Sequence, residues 1–114
     1  MKKVFQAIRE AKVNKLFLVQ DGARENNEND DLNIKLCRDI VSQVDWECEV
    51  YTNFSKVNLS CDHRVFTGIS WAFEFVEKLI VLEDDCLPSQ SFFPFCRDLL
   101  NKYEFDPRVF MISG

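Results

Sequence analysis

Apolar residues along the chain fall into two kinds of spacing. Between residues 2 and 12, Val4, Phe5, Ile8 and Ala11 recur at helical intervals and predict an amphipathic helix. Leu16, Phe17, Leu18 and Val19 then form an uninterrupted apolar run of strand length, closed by the turn signal Asp21-Gly22. A polar stretch over residues 24–31 reads as a solvated loop leading into a helix N-terminus, where acids suit the helix dipole. Leu36, Ile40, Val41 and Val44 make the apolar face of that second helix. Residues 48–54 read as a strand, with Val50, Tyr51 and Thr52 supplying β-propensity.

Val65, Ile69, Ala72, Phe73 and Val76 predict a third helix. The run 79–83 has no polar alternation, as expected of a central parallel strand covered on both faces. Phe92, Phe95, Cys96, Leu99, Leu100 and Tyr103 give the cleanest helical pattern of the chain, with Pro94 in the first turn, where proline is tolerated. Residues 109–113 read as a last strand. The resulting order, α-β-α-β-α-β-α-β, predicts a three-layer α/β/α domain with a mostly parallel sheet and right-handed crossovers.

Composition narrows the function. The 114 residues suffice for one domain, and 46% hydrophobic with 29% charged residues is ordinary globular composition. A net charge of −5 without any Lys/Arg run argues against nucleic-acid binding. The five cysteines lack Cys-x-x-Cys spacing and there is one histidine, His63, so a zinc site is not expected. Most of the cysteines are expected to be small buried hydrophobes in a reducing compartment, and the protein to be cytoplasmic. No segment reads as a signal peptide or membrane span.

Ligands of open α/β sheets bind beyond the carboxyl ends of the strands. Two acidic features fall at such predicted ends: Asp21, and the trio Glu83, Asp84 and Asp85. Adjacent carboxylates repel one another unless a cation or hydrogen-bond donors compensate. Hard Mg²⁺ or Mn²⁺ ions take oxygen ligands and often share them with a substrate diphosphate. The plainer reading of the trio is an acidic, helix-capping turn before Pro88.

The order of motifs adds a resemblance. Leu82-Glu83-Asp84-Asp85-Cys86-Leu87-Pro88-Ser89, then Phe92-Phe93-Pro94-Phe95, then Phe110-Met111-Ile112-Ser113-Gly114, resembles the Glu-Asp-Asp region of GT-A fold nucleotide-sugar glycosyltransferases, in particular the N-acetylglucosaminyltransferase I family and its bacterial relatives. Val19-Gln20-Asp21-Gly22 resembles the second strand of that family, and Arg64 to Phe73 the helix before its metal strand. The resemblance implies a metal-dependent transfer of a sugar from a nucleoside-diphosphate sugar, a UDP-sugar above all, to a hydroxyl acceptor such as a glycan. It implies Asp85 as the ligand of Mn²⁺ or Mg²⁺, and Glu83 and Asp84 at the donor's sugar and ribose. It also implies Asp21 as acceptor for the base, with Arg64 near the base or diphosphate. The plainer reading of Arg64 is a surface residue on an amphipathic helix.

Family members open with a strand ahead of the first helix and continue into an acceptor-binding half with the catalytic base. By that comparison the chain is expected to be a fragment of a GT-A domain, weak or inert alone, with an exposed sheet edge that invites self-association. Two alternatives stand beside it: a receiver-like signalling domain, which also gathers acids and Mg²⁺ at strand ends, and a pseudoenzyme or assembly module.

Overall fold

The computed structural model describes all residues from 1 to 114 and is an α/β fold of four helices and two parallel strands. Helix α1 (Lys2–Ala11) buries Val4, Phe5 and Ala7 and ends at Lys12, whose N–H donates to the Arg9 carbonyl and whose own backbone is left-handed, turning the chain out of the helix. Phe5 packs against Trp46 at a centroid distance of 6.0 Å, and the Trp46 indole donates to the Val13 carbonyl at 2.8 Å. One aromatic side chain thereby ties the end of α1 to the approach of the second strand.

Strands β1 (Lys15–Gln20) and β2 (Glu49–Phe54) pair in parallel, in register from Lys15 with Glu49 to Gln20 with Phe54. Helix α2 (Asp30–Val41) makes the crossover between them. Side chains alternate across a strand, so Phe17, Val19, Tyr51 and Asn53 share one face, which helix α3 (Cys61–Ala72) covers. Phe17 stacks on Tyr51 at 4.9 Å and meets Trp71 edge-on at 5.5 Å, while Phe75 closes the cluster. Gly68 lets α3 approach closely: a Cβ there would sit 2.6 Å from a Val19 methyl. The opposite face carries Gln20 and Phe54, and Arg38 of α2 lies over the Phe54 ring at 4.7 Å. The chain is thus an α/β fold, as alternating elements predict, but its sheet has two parallel strands where four were expected.

The loop before α2 is held by one fork. Arg24 donates from Nε and Nη2 to the two Asp30 carboxylate oxygens at 2.7 and 2.8 Å, and its backbone N–H adds a third bond at 3.0 Å. The Arg24 side-chain hydrogen bond, followed by the backbone bond, pulls the Asp30 carboxyl down to about 2. A depressed carboxyl stabilises the folded loop above its unfolded value near 3.8 and loses that effect as pH falls towards about 2. NMR titration of Asp30 is expected to show a midpoint near 2 in the native chain, returning to the ordinary carboxylate range in Arg24→Ala. An unchanged midpoint in that variant would refute the fork.

Two expected strands are not strands. Residues 79–83 make no ladder, although Leu79, Ile80 and Leu82 are half-buried. An apolar run marks a segment that avoids water, but a strand also needs a hydrogen-bonding neighbour, and β1 is paired only with β2. Residues 109–113 likewise run without a partner. They return along helix α4 (Phe92–Lys102), bringing Gly114 against the Phe92 ring. Between α4 and this tail lies a cavity of about 250 Å³ lined by Leu100, Tyr103, Val109 and Ile112. Lys78 bridges to this end of the molecule, 2.9 Å from Glu104 and 3.1 Å from Asn101.

The expectation of buried cysteines is also corrected. All five are free; Cys96 alone is buried, Cys37 and Cys48 are half-exposed, and Cys61 and Cys86 are exposed. With a two-stranded sheet there is too little interior to enclose them. No helix is long and apolar enough to cross a membrane.

Candidate functional site

The carboxyl ends of β1 and β2 carry a connected set of polar side chains. Asp21 follows the last residue of β1, and its Oδ1 accepts the Gly22 and Leu59 backbone N–H groups, both at 2.9 Å. Oδ2 accepts only a second branch from Leu59 N–H at 3.1 Å, so this oxygen keeps acceptor capacity. Asn58 donates from its side-chain amide to the Gly22 carbonyl at 2.9 Å. Asp21 and Asn58 therefore fasten the 55–60 loop across the end of β1.

Arg64 lies beneath this loop and is only 7% exposed. The reading of Arg64 as a surface residue is corrected: the first turn of α3 points it at the sheet. Nε donates to the Gln20 carbonyl at 3.1 Å, and Nη2 donates to the Asn53 carbonyl and, at 2.9 Å, to Asn53 Oδ1. A buried charge is costly unless hydrogen-bonded, and carbonyl dipoles at two strand ends fill that role here. Nη1 makes no hydrogen bond within the chain and is not among the enclosed, unpartnered atoms. Gln20 extends the network through α2, accepting from Arg38 Nε at 2.8 Å and donating to the Ile34 carbonyl at 3.4 Å.

Glu83, Asp84 and Asp85 occupy the loop between α3 and α4, and all three are exposed. The Met1 ammonium donates to the Asp84 backbone carbonyl at 2.6 Å, which brings the start of α1 to this loop. Asp85 Oδ1 accepts the Cys86 thiol at 3.5 Å. That hydrogen bond, with some burial and the neighbouring acids, raises the Cys86 pKa, which favours the protonated thiol over the thiolate. No hydrogen bond or ion pair joins the triplet to Asp21 or Arg64. Nor do any three His, Cys, Asp or Glu side chains gather in a way that would hold a metal ion.

Of the site residues expected from sequence, Asp21 and Arg64 both lie at the carboxyl end of β1. Arg64 holds the carbonyl of Gln20, next to Asp21, with no bond between the two side chains. Glu83, Asp84 and Asp85 sit in a different loop, bonded to neither. Asn53, Asn58 and Arg38 belong with the first two and carried no motif. The two asparagines had position as their one signal, Asn53 near a strand's carboxyl end and Asn58 in the loop after it, and Arg38 on α2 had none. His63 lies exposed on α3. No family model, curated protein or solved structure matches the chain.

Proposed function

We propose that the chain is a nucleotide-sugar-binding unit of glycosyltransferase type, serving metal-dependent transfer of a sugar from a nucleoside-diphosphate donor to a hydroxyl acceptor. The observation that carries the reading is the Asp21–Arg64 pair of functions at the strand ends. An acceptor oxygen and a guanidinium with Nη1 uncommitted are both fixed by backbone partners. Such a site would take an imide N–H of a uracil on Asp21 and a phosphate oxygen on Arg64.

The acidic loop fits the chemistry of a hard cation, since its side chains offer only oxygen. Because the three carboxylates do not converge, Asp85 would be the single protein ligand, with the diphosphate and water completing the shell, an arrangement Mg²⁺ accepts. A bound cation would supply charge for the leaving diphosphate. Glu83 and Asp84 would face the donor's sugar and ribose. No residue of the chain stands as catalytic base, so donor binding without appreciable transfer is expected.

Amide NMR shifts recorded with UDP at millimolar concentration, with and without Mn²⁺ or Mg²⁺, test the proposal. Shifts are expected at Asp21, Leu59 and Arg64, with cation-dependent broadening at 83–85. Asp85→Asn should weaken cation-dependent binding about tenfold, or about 1.4 kcal/mol. Absence of perturbation at both groups would sink the reading.

A further inference from the structure

The chain exposes 8500 Å² to solvent, whereas a folded monomer of its 13.4 kDa exposes about 6,500 Å². The surplus of about 2,000 Å² exceeds the ~800 Å² per partner that a standard protein interface removes from water. A sheet of two parallel strands is also an incomplete unit, since parallel strands are ordinarily found within larger, covered sheets.

The ladder shows which groups remain unpaired. Glu49 N–H donates to the Asn14 carbonyl at 2.9 Å, and Ser55 N–H to the Gln20 carbonyl at 3.0 Å. In a parallel ladder alternate residues face the same neighbour. Residues 49, 51, 53 and 55 therefore turn their backbone groups to β1, while Val50, Thr52 and Phe54 turn theirs outward. Val50 and Thr52 are exposed. The strand is rich in β-formers and carries none of the usual edge guards, neither proline nor lysine nor bulge. Its single charge, Glu49, is engaged by Lys15 at 3.4 Å. The outer edge of β1 differs: it carries Lys15, and its residues other than Val19 are half-buried among the helices.

We infer that the outer edge of β2 is a self-association surface, on which a second copy of the chain adds its own β2 antiparallel about a two-fold axis through Thr52. The product is a four-stranded sheet running through a closed dimer. The sequence of β2 is self-complementary in this register. Thr52 meets Thr52 of the second copy, a favourable cross-strand pair. Val50 meets Phe54, an apolar pair, and Glu49 meets Ser55, so no like charges oppose. Other registers of β2 on itself lose the Val50–Phe54 pair.

Sedimentation velocity of the full chain from about 1 to 200 μM tests it, with a concentration-dependent shift to twice the chain mass expected. Thr52→Lys places two ammonium groups opposite each other across the axis. It should raise the dimer dissociation constant at least about tenfold, while Thr52→Val leaves it within about twofold. Should Thr52→Lys fail to fold, as read by circular dichroism, Thr52→Glu makes the same like-charge opposition. A monomer at every concentration, equal dimerisation of the native and like-charged chains, or open-ended growth instead of a closed dimer would each overturn the inference.

Discussion

Replacing Arg64 by alanine is expected to destabilise the fold by about 3 kcal/mol. The guanidinium spans three elements, joining α3 to the Gln20 carbonyl of β1 and to both oxygens of Asn53 in β2. Hydrogen bonds from a charged donor contribute about 1.5–3 kcal/mol each before the cost of burying that charge is set against them. The Gln20 carbonyl keeps the Ser55 N–H after the change, so the unsatisfied acceptor falls mainly on Asn53. Truncation also opens a void where the side chain lay. Arg64→Lys should lose about half as much, because an ammonium reaches one strand end but lacks the planar fork that reaches both. Arg64→Met separates stem packing from hydrogen bonding and should fall between them. Urea denaturation of the three variants gives the order directly. If Met proved as stable as Arg, the carbonyl bonds would contribute nothing net, and Arg64 would be held in place for ligand contact alone.

The position of Arg64 also shows where sequence reading reached its limit. Helical spacing located α1, α2, α3 and α4, although Val44 and Val76, expected on the second and third helix faces, lie beyond the helix ends at Val41 and Ala72. The apolar run 16–19 and the β-prone run 48–54 located β1 and β2 to within a residue or two. Those signals are local: they depend on which faces of a segment avoid water. The runs 79–83 and 109–113 carried the same signal, yet they found no ladder, because pairing is a property of two segments and only one partner strand lies beside β1. Arg64 was ambiguous for a related reason. On a helix whose outward positions include exposed Val65 and Phe66, periodicity does not tell the inward face from the outward one. The cluster of carbonyls that receives the guanidinium exists only once β1, β2 and α3 have met. Asp21 was legible because a turn after an apolar strand fixes its place at the sheet's carboxyl end. The acidic triplet was legible as a charge cluster, but the sequence could not show that its side chains fail to gather with other acids into a metal-holding group.

Gly22→Ala should cost a similar amount, about 3 kcal/mol, by a wholly different route. Gly22 is buried, and a Cβ built on it would lie 2.5 Å from the Val57 carbonyl carbon, 2.6 Å from its oxygen and 2.8 Å from its nitrogen. These are backbone atoms, so no rotamer change relieves the overlap. The 55–60 loop must move, and with it go the Leu59 N–H that Asp21 holds and the Asn58 amide that holds the Gly22 carbonyl. Gly68→Ala is the natural control. Its Cβ would meet the Val19 side chain alone, a methyl at 2.6 Å and the Cβ at 3.3 Å, so the overlap is with a side chain and not with a backbone segment. Val19 is partly exposed, so the cost there should be about 1–2 kcal/mol. The two alanines are further separated by the Leu59 amide proton. In Gly22→Ala its resonance should shift and its exchange quicken as the Asp21 bond is lost, whereas in Gly68→Ala it should stay near its native value. Equal costs with Leu59 undisturbed in both would mean that the loop is not fastened to β1 through Asp21. The acceptor oxygen on which the proposed nucleotide site depends would then have no fixed position.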